Sequence, residues 1–159
     1  PAFQKDGTIT AASASKINDG GAALILASEA AVKKHGLVPR ARIVGYGGHA
    51  QAPEWFTTAP VGAIEKTLAR TGLSTNDIDL WEVNEAFSVV SMACITKANV
   101  PHDKMNVWGG AVALGHPVGA SGARILTSLL YEMQKRNVRK GLATLCIGGG
   151  MGIAMCVER

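Results

Sequence analysis

The residues best suited to chemistry in this chain are a cysteine, a glycine, a histidine and an asparagine, spread over three loops rich in glycine or polar residues. Cys146 ends an apolar run and precedes Gly148, whose backbone N–H can face a ligand because no Cβ stands in the way. His116 lies in the segment GHPVG, and Asn84 lies in NEAF. A thiol, an imidazole that can serve as its base and an amide that can polarise a carbonyl oxygen together indicate an acyl-transfer site.

Each of these residues also has a simpler interpretation. Buried cysteines are mostly packing residues, a loop histidine is usually just exposed, and an asparagine between a strand and a helix commonly caps the helix. Cys94 lies on the apolar face of a predicted helix and Cys156 in the last predicted strand, so we expect both to pack in the core. The chemical interpretation requires the three loops to converge.

The hydrophobic pattern predicts the elements that would bring these loops together. From residue 40 onward, strands and helices alternate in the order βαβαβαββ, which predicts an α/β fold with a mixed five-stranded sheet and helices on both faces. The final hairpin is expected to add an antiparallel edge. The predicted strands span residues 41–46, 79–83, 105–108, 142–147 and 151–157, and the predicted helices 58–72, 87–98 and 120–137.

Before residue 40, a short apolar run at 22–27 predicts a further strand, followed by a helix that stops at Gly36. Farther along the chain, Asn84 and the glycine-rich loop 109–122 each follow a predicted strand, and Cys146 lies at the end of another. Open α/β sheets present reactive groups at that place. The shared position favours convergence of the three loops.

Composition argues against several other classes of function. The chain has 159 residues, 47% hydrophobic and 18% charged, so it can bury the core of one domain. Its net charge of +4 is scattered, without the interleaved aromatic residues of a nucleic-acid surface. The histidines and cysteines lack metal-ligand spacing, no apolar run reaches the ~20 residues of a membrane span, and three widely spaced cysteines indicate a reducing compartment. We therefore expect a cytoplasmic protein with no metal, no nucleic-acid partner and no membrane association.

Three motifs resemble one family closely. NEAF at 84–87, GGAVALGHPVGASGAR at 109–124 and CIGGGMG at 146–152 have the order and spacing found in the thiolases, the group of acetyl-CoA acetyltransferases and 3-ketoacyl-CoA thiolases. The segment DGTITAASASKINDGGAA at 6–23 is similar to the thiolase segment that lines the coenzyme A tail. The resemblance covers essentially the whole chain. It implies that residues 1–39 end the N-terminal half of a thiolase and that residues 40–159 form its C-terminal domain.

The resemblance also implies a role for each candidate residue. Cys146 would be the acid/base that takes a proton from the acetyl donor, and His116 would activate the nucleophilic cysteine. Asn84 would hold the water that completes an oxyanion hole with His116, and the Gly148 N–H would serve a second hole. Ser15 matches the serine that forms a hydrogen bond to the pantetheine arm of coenzyme A. The implied reaction condenses two acetyl-CoA or cleaves 3-ketoacyl-CoA, with coenzyme A thioesters as substrates and no other cofactor.

The chain departs from the family in ways that matter. The nucleophilic cysteine of thiolases belongs to the N-terminal half, and no cysteine here matches it. We therefore expect the chain alone to be inactive and to need the missing N-terminal half or a partner chain bearing the nucleophile, within a homo-oligomer. Ala12, Ser13 and Lys16 stand where the family usually has Gly, Asn and Gly, and WFTTAP at 55–60 replaces the usual MGxGP, which leaves the acyl chain length open.

Two alternatives to an enzyme fragment stay open at this point. One is a non-catalytic module that binds coenzyme A or acts in assembly through protein contacts. The other is a separately encoded subunit that pairs with a nucleophile-bearing chain.

Overall fold

Four strands, β1 (Arg42–Ala50), β2 (Leu80–Val83), β3 (Lys140–Ile147) and β4 (Met151–Glu158), form one sheet in the order β1-β4-β3-β2 in this computed structural model, which describes residues 1–159. β1 and β3 run antiparallel to β4, whereas β2 and β3 are parallel. The prediction of a mixed sheet is therefore confirmed, with four strands in place of the five expected.

The hairpin of β3 and β4 lies inside the sheet, so the expectation that it adds an antiparallel edge is wrong. β4 pairs with β3 on one side and with β1 on the other. Gly152, Ala154 and Cys156 alternate along β4 and are buried, and such small residues suit a central strand covered by a helix. The antiparallel edge is β1, and the parallel edge is β2.

The predicted strand at 105–108 is wrong because the chain turns away from β2 almost at once. Met105 forms a single parallel bridge with Trp81. Asn106 then takes a left-handed conformation with φ 49°, which extended strands do not allow. Its side-chain amide accepts a hydrogen bond from the Val83 N–H and donates one to the Val83 carbonyl, both at 2.8 Å. A side chain therefore occupies the positions that a fifth strand would have used.

The predicted strand at 22–27 is also wrong. These residues have no regular secondary structure and no strand partner, and Ile25 and Leu26 are 95% and 76% exposed. The predicted helix that follows is present as α1 (Glu29–His35), capped by the Ser28 side chain and ended by Gly36 at φ 60°. The apolar run at 22–27 thus faces outward.

The three long helices begin within one residue of their predicted positions. α2 (Ala59–Thr71) and α5 (Ser121–Arg136) end at Gly72 and Asn137, which take left-handed conformations with φ 67° and 54°. α3 (Ser88–Lys97) ends at Ala98, before Pro101. The loop predicted after residue 109 contains a short helix, α4 (Ala111–Leu114), and 3-10 helices span Pro53–Thr58, Thr75–Asp77 and His102–Lys104. Helix numbers follow chain order.

The sheet has an apolar core on each side, which confirms the prediction of helices on both faces. On the α2 face, α2 and α3 pack over a cluster of 15 buried residues that includes Leu142 and Cys146 of β3. On the α5 face, α5 packs over a cluster of six that includes Ala143. Because β2 and β3 are parallel, with Val83 opposite Thr144, their carboxyl ends reach the same edge of the sheet.

Candidate active site

The carboxyl ends of β2 and β3 bring two of the predicted residues to one edge. The Asn84 N–H, directly after β2, donates to the Thr144 carbonyl at 2.9 Å and so extends the parallel ladder by one residue. Cys146 lies two residues beyond Thr144 on β3. Asn84 and Cys146 are both buried, at 1% and 9% exposure.

His116 joins this edge through the Asn84 side chain. Asn84 Nδ2 lies 3.5 Å from His116 Nε2, and on the other side of the ring His116 Nδ1 lies 2.6 Å from Ser121 Oγ. The Ser121 hydroxyl has one hydrogen and donates it to the Pro117 carbonyl at 3.1 Å. It must therefore accept from Nδ1–H, which leaves Nε2 of the neutral ring as an acceptor facing Asn84.

The surroundings of His116 favour the neutral imidazole. Burial of the ring and the nearby positive charge of Arg124 both lower the pKa of His116 below its ordinary value. At neutral pH the ring therefore carries one proton, on Nδ1, and Nε2 has a free lone pair. This arrangement suits a base, and it replaces the interpretation of His116 as a solvent-exposed loop residue.

Asn84 does not cap a helix. α3 begins at Ser88 with Phe87 at its N-cap and no side-chain cap. The Asn84 amide instead faces His116 through Nδ2, and its Oδ1 accepts a hydrogen bond from Arg124 Nη2 at 3.4 Å. The side chain is thus held within the candidate site.

Cys146 lies at the same edge but makes no hydrogen bond to Asn84 or His116. Its side chain packs in the α2-face core, and burial raises the pKa of the Cys146 thiol above its ordinary value. The thiol therefore keeps its proton at neutral pH. Cys94 and Cys156 are fully buried in the same core, as the sequence predicts.

Gly148 lies in the exposed turn between β3 and β4, and the space beside its Cα is open. A Cβ built there would meet no atom within 4 Å, whereas one at Gly150 would lie 2.2 Å from the Gln51 carbonyl oxygen. Gly149 and Gly150 supply the left-handed conformations of the turn, with φ 80° and 84°. Gly148 is therefore not required by the turn's packing, and its backbone is accessible.

Ser15 reaches the site through Ala86 of the NEAF segment. Its N–H and its hydroxyl both donate to the Ala86 carbonyl, at 3.0 and 2.9 Å. The neighbouring Lys16 carbonyl accepts a hydrogen bond from the His116 N–H at 2.8 Å. The structure thus brings Ser15, Asn84 and His116 together, with Cys146 and Gly148 on the adjoining strand end and turn.

Sequence reasoning missed the residues that support this arrangement. Glu85 accepts hydrogen bonds from the Val112 N–H at 3.2 Å and from Asn106 Nδ2 at 3.3 Å, which ties the loop before His116 to β2. A Cβ at Gly110 would lie 2.1 Å from Glu85 Cδ, so the glycine makes room for the carboxylate. The sequence shows Ser121 and Arg124 as part of the GASGAR motif but does not predict their contacts, because these depend on the turn between α4 and α5.

No cluster of three or more His, Cys, Asp or Glu side chains is arranged to hold a metal ion. None of the helices has the length and apolar character needed to cross a membrane.

Comparisons with known proteins identify relatives of the whole chain. The family model "Thiolase, C-terminal domain" matches residues 37–159, and "Thiolase, N-terminal domain" matches residues 1–30. An acetyl-CoA acetyltransferase of Chromobacterium violaceum is 52% identical over 159 residues, covering 100% of this chain and 41% of that protein. One from Rhizobium meliloti is also 52% identical, over 100% of this chain and 40% of its own length.

Solved structures of the same family match the fold of this chain. The acetyl-CoA acetyltransferase of Bacillus anthracis matches with a TM-score of 0.96 and 46% identity, over 99% of this chain and 40% of that one. Human mitochondrial 3-ketoacyl-CoA thiolase in complex with CoA matches with a TM-score of 0.91 and 42% identity, over the same shares. The chain thus spans about two fifths of the length of the curated relatives it matches.

Proposed function

The chain belongs to the thiolase family, and we propose that it forms the C-terminal portion of an acyltransferase that condenses two acetyl-CoA or cleaves 3-ketoacyl-CoA. In this proposal residues 1–39 end the N-terminal half of the fold, and residues 40–159 are the C-terminal domain. The substrates are coenzyme A thioesters, and no other cofactor takes part.

The observation that carries the proposal is the Asn84–His116 pair at the edge where β2 and β3 end. Asn84 Nδ2 and His116 Nε2 are 3.5 Å apart, and Ser121 holds the far side of the imidazole. A donor amide beside a neutral imidazole is suited to bind a water or an oxyanion and to take a proton from a thiol.

Cys146 is the acid/base in this mechanism. When the acyl-cysteine forms, the Cys146 thiol gives its proton to the departing coenzyme A thiolate. The Cys146 thiolate then takes a proton from the methyl carbon of a second acetyl-CoA, and the resulting carbanion attacks the carbonyl of the acyl-cysteine. The C–C bond forms while the acyl-cysteine C–S bond breaks, which gives acetoacetyl-CoA and a free thiolate on the nucleophile. In the cleavage direction the Cys146 thiol returns the proton. The raised pKa of Cys146 suits that second role, since the thiol holds its proton until the carbanion forms.

Two sets of donors stabilise the oxygen charges that develop. The enolate oxygen of the thioester is served by a water held by Asn84 and by His116, whose Nε2 becomes a donor once it has taken the proton of the nucleophilic thiol. The Gly148 N–H serves the acyl-enzyme oxyanion, and the open space over Gly148 supports this role. Deleting one oxyanion-hole donor typically costs about 3 kcal/mol of transition-state stabilisation.

Ser15 is the proposed contact for the pantetheine arm. Its hydroxyl hydrogen is directed to the Ala86 carbonyl, so its oxygen is left to accept a hydrogen bond from an amide of the arm. The human mitochondrial 3-ketoacyl-CoA thiolase that this chain resembles is described in complex with CoA. That relationship supports coenzyme A as the ligand of the Ser15 segment.

The nucleophile is proposed to lie outside residues 1–159, in an N-terminal half or on a partner chain. All three cysteines of the chain are buried, and each is accounted for by the core or by the acid/base role. Ile25 and Val38, at 95% and 92% exposure, are apolar side chains that such a half would cover. A homo-oligomer in the cytoplasm is part of the same proposal, and residues 1–159 alone are expected to be inactive.

The test is the Cys146→Ala substitution in the native polypeptide that carries these residues. We expect the rate of acetoacetyl-CoA formation to fall by roughly 10²- to 10⁴-fold, as for loss of a general acid/base. Cys156→Ala is the matched control, because it removes a buried thiol of the same core without touching the site.

Other outcomes would point elsewhere. A protein that binds coenzyme A but shows no condensation or cleavage with Cys146 present would be the non-catalytic module. Condensation that appears only after adding a copurifying cysteine-bearing chain would identify a separate subunit.

A further inference from the structure

Arg124 is a partly buried charged residue beside Asn84 that the proposed mechanism does not use. It lies on α5 three residues after Ser121, and so on the same side of the helix. Its Nη2 donates to Asn84 Oδ1 at 3.4 Å, while its Nε is buried without a hydrogen-bond partner. Buried arginine donors are seldom left with so few acceptors. The side chain is therefore held against Asn84 at some cost in unsatisfied hydrogen bonding.

We propose that Arg124 is a positioning residue that fixes the direction of the hydrogen-bond chain running through Asn84 and His116. The inference rests on the proposed function, in which those two residues bind the developing oxyanion. Arg124 itself touches neither substrate nor the reacting atoms.

The donor-to-acceptor direction of these hydrogen bonds follows from the groups at the two ends of the hydrogen-bond chain. A guanidinium has donors and no acceptor, and a carbonyl has acceptors and no donor. At one end Arg124 donates to Asn84 Oδ1, and at the other Ser121 Oγ donates to the Pro117 carbonyl. Every link between them must then run the same way, from Asn84 Nδ2 to His116 Nε2 and from His116 Nδ1 to Ser121 Oγ.

The end at Arg124 decides which way Asn84 points. The oxygen and nitrogen of an amide have nearly the same shape, so packing alone does not choose between the two orientations. If the amide rotated by half a turn, its NH₂ would face the guanidinium donors, and its oxygen would face the Nε2 lone pair. The NH₂ group would then also be turned away from the water that serves the enolate oxygen. Without Arg124 the first of these penalties disappears, and the unproductive orientation becomes accessible.

The acidic groups near Arg124 leave it available for Asn84. Burial raises the pKa of Glu82, on β2, to about 7, so its carboxyl group is only partly ionised at neutral pH. Glu132, farther along α5, is paired with Arg136, and Glu85 is bonded to Asn106 and Val112. The charge of Arg124 also lowers the pKa of His116, which gives the positioning role a second observable.

The experiment compares Arg124→Met and Arg124→Lys in the native polypeptide that carries these residues. The Met variant removes both the donors and the charge, and we expect kcat to fall by roughly 10- to 100-fold with KM changed less than about twofold, somewhat less than for outright loss of an oxyanion donor. The Lys variant keeps a charge but not the planar guanidinium, and we expect a several-fold fall in kcat.

A second readout does not depend on activity. Diethyl pyrocarbonate acylates only the unprotonated imidazole, so the rate at which the His116 peptide is modified, followed by mass spectrometry across pH, reports the pKa of His116. Arg124→Met should raise that pKa towards its ordinary value, and Arg124→Lys should leave it close to wild type. Exposed His102 serves as the internal reference in each digest.

Arg136→Met is the matched control, since it removes another arginine of α5 and leaves Glu132 without its partner. It should lower thermal stability without moving the His116 profile or kcat. If Arg124→Met lowered thermal stability in the same way but changed neither kcat nor the pH dependence of His116 modification, Arg124 would have only a structural role and the proposal would be rejected. Should the Met variant fail to fold, an unchanged kcat in the Lys variant would overturn the proposal.

The two hypotheses fail separately. Absence of thiolase activity in the wild-type protein would reject the proposed function, while the His116 profile would still test the contact from Arg124. Activity that survives Arg124→Met unchanged would reject the positioning role and leave the proposed function standing.

Discussion

The α2 face and the α5 face of the sheet are built from the same strands but bury different kinds of residues. The α2 face has no buried charged residue, and it contains all three cysteines and the larger of the two apolar clusters. The α5 face is smaller and has Glu82 and Glu132 buried beside its apolar residues. The α2 face packs Cys146 at the end of β3, whereas α5 on the other face carries Arg124, which contacts Asn84.

The two faces also differ in how closely the helix approaches the sheet. A Cβ built on Gly152, on the α2 face, would lie 2.7 Å from the backbone carbonyl carbon of Ala59. A Cβ on Gly141, on the α5 face, would lie 2.6 Å from Met133 Sδ and 2.9 Å from Leu129 Cδ1. Backbone cannot move aside without shifting a helix, whereas the ends of Met and Leu side chains can rotate.

The largest expected effect tests this difference in rigidity. We expect Gly152→Ala to lower the free energy of unfolding by about 3 kcal/mol or more, because α2 must be displaced from β4. Gly141→Ala, the matched change on the other face, should cost about 1 kcal/mol, because the obstructing atoms are flexible. Urea unfolding of both variants beside wild type measures the two losses. Equal losses would contradict the contrast between a rigid and an adaptable face.

The ends of the helices are among the parts of the fold that the sequence predicts well. Gly36, Gly72 and Asn137 mark the ends of three helices correctly, because each left-handed position has a residue type that tolerates it. Mixed parallel and antiparallel pairing follows from the alternation of strands and helices together with the final hairpin. These are local signals, readable over a few residues.

What the sequence does not reveal depends on side chains that meet across the chain. Asn106 occupies the edge of β2 through two hydrogen bonds to Val83, 23 residues away, so the apolar run that it interrupts was mistaken for a strand. The contact from Arg124 to Asn84 spans 40 residues, and only the folded α5 brings them together. Motif resemblance names Asn84 and His116, but it does not say what holds them.

The next prediction concerns the charge on the α5 face. Burial raises the pKa of Glu82 to about 7, well above the value of about 4.5 expected in the unfolded chain. The folded state therefore binds a proton that the unfolded state releases. The contribution of Glu82 to the free energy of unfolding is fully present below about pH 4.5 and is lost as pH rises towards 7. Over that window the loss amounts to about 3 kcal/mol.

Glu82→Gln removes this titration, so we expect the variant to lose about 3 kcal/mol less than wild type between pH 4.5 and 7.5. Urea unfolding at both pH values gives the difference. Glu65→Gln, an exposed glutamate on α2, is the control and should follow wild type at both. Parallel behaviour of the Glu82 variant and wild type would mean that solvent or Arg124 keeps the buried carboxylate ionised, and that the α5 face is less dry than its burial implies.

The smallest expected effect belongs to the α2 face and lies in a different pH window. Burial raises the pKa of Cys94 to about 12, against about 8.5 for a cysteine in an unfolded chain. Above pH 8.5 the unfolded chain gives up a proton that the folded one retains, so stability falls with rising pH, by about 1.4 kcal/mol per pH unit for one thiol. Between pH 8.5 and 10 wild type should therefore lose about 2 kcal/mol more than Cys94→Ala. The comparison uses the slope of unfolding free energy with pH, which separates the titration from the constant cost of the cavity. Identical slopes would show that water reaches Cys94 and that the core of the α2 face is not closed to solvent.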